Sequence, residues 1–352
     1  MPLISRPIVD PAEYEEFGCH PFTDSPATPD KVARNVFIRR QVADFNVTMA
    51  DGKIIPFWGF KDPDVSGGDR EWPSKLIRVK QGQVVHCEMK PAKNTHTIHW
   101  HGIEPSPYND GVGHTSFEVK SAYTYQWMPH QAGTYLYHCH KNTVLHFEMG
   151  MYGVLIVDPV GTGTGANPKL AYDPRPGDSA DGIQPGAPYA AESILVFDDI
   201  DPRWHTMDHN LGMCGDDVGL DRFEPKYFVI SGVPNNKTQT DAKTAIKAKV
   251  GTNVLVRLAN ASYSRVGVKL PVDAWVVEID GRPLRYNPGL GSYSKPYKIS
   301  ANTEIELATA QRYALWIPNI AAGSHSITGT FRHWVTNKMH PGGQAIAKII
   351  AQ

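Results

Sequence analysis

The chain has 352 residues, 41% of them hydrophobic, which is enough for one large or two medium domains with apolar cores. Lys plus Arg number 35 and Asp plus Glu 36, so there is no basic footprint for nucleic acid and no polybasic run for a membrane surface. No apolar stretch approaches the roughly 20 residues that a membrane helix needs.

Residues 1–34 form an N-terminal extension. It starts MPLISRPIVDPAEYEE and lacks the apolar core of a secretory signal, so the protein is expected either to be cytoplasmic or to have had its signal removed. Helical periodicity is scarce after that. Short runs rich in Val, Ile, Tyr, Phe and Thr follow, punctuated by Gly, Pro, Asn and Asp, from NVFIRRQVADFNVTM through KLIRVKQGQVVHCEM and GTYLYHCH to MYGVLIVD. A Gly/Pro-rich stretch over 161–189 reads as a linker or surface loop. A second series runs from ESILVFDDI to QAIAKIIA. Many strands at short spacing predict an all-β chain of sandwiches. The two halves also echo each other: IRVKQGQVVHCEM has the form of IKAKVGTNVLVRL, and QAGTYLYHCH that of AAGSHSITGT. This points to a duplicated sandwich, with one domain over 35–160 and the other over 190–352.

The chain has four cysteines. In QVVHCEMK, alternation places Val85, Cys87 and Met89 on the apolar face, so Cys87 is expected to be a buried thiol. Cys19 and Cys214 are the only plausible disulfide pair, and sequence does not show that they meet.

Chemistry concentrates in two stretches, NTHTIHWHG and YLYHCHKNTVLHFEMGM. Side chains alternate along a strand, so His99 and His101 share a face, as do His138 and His140, while Cys139 points the other way. His96, an odd step before His99, falls on the parity of Cys139. Two ligand sets result, one on each side of a single layer. One set holds four imidazoles. The other holds His96 and Cys139, to which the following loop can return His146 and Met151. Two imidazoles, a thiolate and a thioether are the donors of a blue-copper electron-transfer site. The all-imidazole set suits Cu(II) with positions left open for a small molecule. Zinc fits a lone Cys beside this many His poorly.

These residues resemble the multicopper oxidase superfamily, which includes laccases and copper nitrite reductases. The motifs that carry the resemblance include HTIHWHG, NDGVGHTSFEV, AGTYLYHCHKNTVLHFEMGMYGVLIVDP and AQRYALWIP. The resemblance implies two cupredoxin-like Greek-key sandwich domains in tandem. It implies type 1 copper ligands at His96, Cys139, His146 and Met151, and type 2 and type 3 ligands at His99, His101, His138 and His140. Asp110 falls where the oxidases place an acidic residue for proton delivery, although Gly113 departs from the usual Asp-Gly-Val-Pro. As a residue of an Asn-Asp-Gly turn, Asp110 is equally well explained by the turn.

A complete oxygen-reducing cluster in this family takes four histidines from each of two domains, and the second half of this chain has no His-x-His. Three completions follow: a symmetric oligomer joining two first domains, a trimer in which His333 reaches a neighbouring chain, or no second site at all. His333 beside Trp334 is better read as a surface or hydrogen-bonded histidine. Nitrite reductases have a catalytic Asp where His99 stands, and a second-domain His that SRVGVKLPVDAWVVEIDG lacks. The expectation is therefore a homo-oligomeric copper oxidase, with a trimer favoured, taking electrons from an external donor and reducing dioxygen. An electron carrier with only a type 1 site, and a nitrite reductase-like enzyme, are the alternatives. The resemblance also implies a periplasmic or secreted location.

Overall fold

The computed structural model describes residues 23–24, 32–65, 71–113, 115–163, 168–213, 217–284 and 295–352. Cys19, Cys214 and most of the N-terminal extension lie outside them. The first half builds β1 (Val36–Thr48), β2 (Ile54–Lys61), β3 (Ser74–Lys80), β4 (Val85–Lys90), β5 (His99–His101), α1 (Pro107–Asp110), β6 (Tyr123–Trp127), β7 (Gly133–His138), α2 (Thr143–Glu148) and β8 (Tyr152–Asp158). One sheet has the order β2-β1-β4-β6 and the other β3-β8-β7-β5. Sequence neighbours are often not sheet neighbours: β1 runs parallel to β4, and β8 parallel to β3. Between the sheets lie Val85, Cys87, Met89, Trp100, Tyr125 and Tyr137, all essentially buried. Cys87 is thus a core thiol, and burial pushes its pKa up to about 12.

The second half repeats the plan with β9 (Ala191–Ile200), β10 (Tyr227–Ile230), β11 (Ala245–Ala248), β12 (Val254–Asn260), β13 (Arg265–Lys269), β14 (Ala274–Ile279), β15 (Tyr297–Ile299), β16 (Glu304–Leu307), β17 (Arg312–Ile317), β18 (Gly323–Arg332) and β19 (Met339–Ala351). β9 lies parallel to β12, as β1 does to β4. β19 sits between parallel β11 and antiparallel β18, as β8 sits between β3 and β7.

The two sandwiches share a packed boundary. Phe57, Trp72, Leu136, Phe147, Tyr152 and Ile156 from the first meet Val196, Ile200, Val229 and Ala261 from the second. Arg257, fully buried in β12, bridges Glu192 and Glu278 and donates to the Thr134 hydroxyl of β7. The Gly/Pro-rich stretch does not hang free. Its Tyr172, Ile183 and Tyr189 are buried against Leu255, Val277 and Trp316 on the outer face of the second sandwich. Among the described residues, no helix is long and apolar enough to cross a membrane.

Candidate metal centre

The antiparallel pair β5–β7 sets the site. Its register places His99 opposite His138 and His101 opposite Leu136. The pleat therefore sends the imidazoles to one side and Trp100, Tyr137 and Cys139 into the core. The backbone N–H of His140 donates to the Thr97 hydroxyl, which ties the end of β7 to the chain entering β5.

On the core side, Cys139 Sγ lies 3.3 Å from His146 Nδ1 and 3.6 Å from His96 Nδ1. His96, Cys139 and His146 are buried, and their donor atoms all lie within 4.8 Å of one another. Met151 is also buried, and its backbone is bonded to both neighbours: its N–H donates to the His146 carbonyl, and its carbonyl accepts from the Cys139 N–H. Burial pushes the Cys139 thiol up to about 11 and holds His146 down at about 3, with His96 also well below its ordinary value. Neutral imidazoles offer lone pairs, and a metal would have to displace the thiol proton. His146 Nε2–H donates to the His209 carbonyl at 2.9 Å, which leaves Nδ1 as the lone-pair atom on the side facing the sulfur. A soft sulfur donor among neutral nitrogens in an apolar shell fits copper.

On the other side, ring nitrogens of His99, His101 and His138 lie within 4.8 Å of one another. The His140 ring centroid is 5.1 Å from that of His99 and 5.8 Å from that of His138. His138 Nδ1–H donates to the Cys139 carbonyl, so its Nε2 carries the lone pair that faces His101 Nδ1 at 3.3 Å. Burial is the main cause that lowers His101 to about 3, and the Arg312 guanidinium adds to it. The arrangement is a cluster of lone-pair donors, which fits a metal ion.

Asp110 sits at the end of α1, with its carbonyl 2.8 Å and its Oδ1 3.2 Å from His99 Nδ1. Gly111 permits this approach: its φ is +70°, and a Cβ there would lie 1.9 Å from the Ile98 carbonyl oxygen. His99 and His101 open onto a cleft of about 620 Å³ whose far wall is Asp280, Arg282 and Thr309–Arg312 of the second sandwich. No histidine lines that wall among the described residues. His333 lies elsewhere, on the turn between β18 and β19. Its Nδ1 accepts from the N–H groups of Val335 and Thr336 beside the exposed Trp334.

The sequence did not reveal a strap that covers the sulfur group. Residues 201–213 leave the end of β9 and cross to the first sandwich. The His209 ring sits 4.7 Å from the His96 ring and 4.5 Å from the His146 ring, and its Nε2 is 2.9 Å from the Thr95 carbonyl. Trp204 and Met207 pack with Leu145, Met149 and Trp58 in the same cluster. The only clue in the sequence was a pair of histidines, His205 and His209, in a stretch without strand pattern.

Residues 55–161 match the family model described as "Multicopper oxidase". Over 102 residues the chain is 35% identical to an L-ascorbate oxidase of Cucumis sativus, a match covering 27% of this chain and 17% of that protein. Over 90 residues it is 38% identical to copper resistance protein A of Pseudomonas syringae pv. tomato, covering 24% and 14%. The chain therefore spans only a small part of either relative. The fold is similar to that of the blue copper oxidase from Nitrosomonas europaea, with a TM-score of 0.65, 22% identity, and coverage of 90% of this chain and 86% of the other.

Proposed function

We infer that this chain is a member of the multicopper oxidase superfamily, a reading supported by the family-model match over residues 55–161, and that it is a copper oxidoreductase passing electrons from an external donor to dioxygen. His96, Cys139, His146 and Met151 would hold a type 1 copper, and His99, His101, His138 and His140 would hold type 2 or type 3 copper. Copper bound there supplies one-electron redox chemistry at the sulfur group and oxygen reduction at the imidazole group. The observation that carries this reading is covalent. Cys139 sits between His138 and His140 in the chain, and its side chain points to the opposite side from theirs. The sulfur of one group is thus joined to the rings of the other through a few backbone bonds.

The protein's own residues do the rest. The strap keeps water from the sulfur group, since His146 is 0% exposed beneath His209. Asp110 fixes the His99 ring at the mouth of the cleft and is the candidate proton relay, because conversion of dioxygen to water consumes protons as well as electrons. Burial, with the Arg312 guanidinium adding to it, keeps His101 neutral, and so able to bind metal, at ordinary pH.

Among the described residues, the wall facing the imidazoles supplies no further ring nitrogen, which supports assembly as a homo-oligomer, with a trimer favoured, in which a neighbour completes the site. His333 on its exposed turn is the candidate donor from such a neighbour. A periplasmic or secreted location accompanies this reading. The same wall favours a second reading, in which the chain is an electron carrier and only the sulfur group works.

Oxygen uptake by the copper-loaded protein with a chemical reductant separates them. The oxidase reading expects uptake that His101→Ala removes while the thiolate-to-copper absorption remains. Reversible bleaching of that absorption without oxygen uptake would leave the carrier.

A further inference from the structure

A buried ion pair lies directly behind the sulfur group, and neither ligand set uses it. Lys141 is 6% exposed and Glu118 1%, and Lys141 Nζ is 2.5 Å from Glu118 Oε2. The ammonium also donates to Thr95 Oγ1 at 2.6 Å, and the Thr95 hydroxyl donates to the same Glu118 oxygen at 2.5 Å. The other carboxylate oxygen, Oε1, is buried and has no hydrogen-bond partner among the described residues.

Each member of this cluster is tied to a residue of the sulfur group. Thr95 precedes His96. Val119, next to Glu118, exchanges two backbone hydrogen bonds with His96, at 3.3 and 2.9 Å. The Lys141 carbonyl is 3.8 Å from Cys139 Sγ.

Stability does not explain the pair. Desolvating two charges offsets most of their attraction, and well-packed apolar residues of similar volume would serve as well. In a site shut off from water, however, a nearby fixed charge is felt strongly.

We propose that Glu118 and Lys141 set the reduction potential of the sulfur group, acting as opposed positioning charges. The inference rests on the type 1 copper reading above. Reduction adds one electron, given up by an external donor, and so lowers the net charge of the group by one. The Lys141 cation favours that change and the Glu118 carboxylate disfavours it. Together the two charges largely cancel, so either one alone has the larger effect.

The test is an anaerobic redox titration of the thiolate-to-copper absorption in the copper-loaded protein against a one-electron mediator. Glu118→Gln should move the equilibrium toward the reduced state by about tenfold or more, roughly 59 mV for one electron. Lys141→Met should move it the other way. The double variant should return close to the parent. An unmoved equilibrium in Glu118→Gln, or shifts of the same sign in both single variants, would overturn the proposal, because loosened packing moves both alike. Absence of the absorption band in the parent protein would overturn the copper reading and this inference with it.

Discussion

The first and second sandwiches share a strand plan but differ in what fills the end of the core. In the first, Cys139 projects into a pocket shared with His96 and His146. In the second, Gly329 stands as far beyond Ala321 as Cys139 stands beyond Gln131. A Cβ at Gly329 would lie 2.3 Å from the ring of Phe197, which packs there with Phe331. One copy thus fills its interior with an aromatic ring, while the other keeps a sulfur and two imidazoles. The scaffold does not depend on the ligands: backbone pairing and alternating apolar residues suffice to build it. The candidate ligands are an addition made at one strand end and one loop.

Replacing the sulfur should break the contrast most completely. Cys139→Ser is expected to abolish the thiolate-to-copper absorption and the type 1 EPR signal together, while the opposite histidines still bind metal. Next in size, His101→Ala should cut oxygen uptake by about a hundredfold or more, since a lost ligand should cost at least as much as a lost ligand partner. The type 1 signal should survive.

Acid should separate the two halves in the metal-free protein. His101 and His146 titrate at about 3 when folded, against an ordinary value of 6.5. Between those values the unfolded chain binds more protons, so this contribution to stability is full above pH 6.5 and drains away as pH falls toward 3. Hydrogen exchange should show β7 amides losing protection in that window before those of β18. Equal loss in both strands would contradict the assignment.

Gly329→Ala sharpens the comparison from the other side. It should cost about 1–3 kcal/mol through overpacking against Phe197, read by thermal unfolding, with the copper spectra unchanged. The smallest effect is expected at the strap. His209→Ala keeps the carbonyl that orients His146 but removes the ring above it, so a small reductant should bleach the absorption several-fold faster in stopped flow. A slower reaction would instead assign the ring to electron entry.

Strand parity alone makes the division of ligands legible in the sequence. Odd and even steps from His96 to His101, and from His138 to His140, assign faces without knowledge of the partner strand. The duplication is legible for the same reason, because a Lys, a Gly turn and two apolar runs recur at Ile77 and Ile246. The strap is not legible. His209 meets His146 across the boundary between the sandwiches, and no spacing within either segment encodes that contact. The Glu118–Lys141 pair is hidden in the same way. Each reads as an ordinary charge until β-pairing brings Val119 beside His96. The Gly/Pro-rich stretch misleads because its buried Tyr172, Ile183 and Tyr189 follow no period.

The most direct measurement is the number of coppers per chain in fully loaded protein, with the EPR-detectable fraction counted on the same sample. The expected result is more than one copper per chain, with a type 1 signal from the sulfur group and further copper held by the opposite histidines. A single copper per chain with a type 1 signal alone would contradict the claim that one strand of this sandwich carries two coupled metal sites.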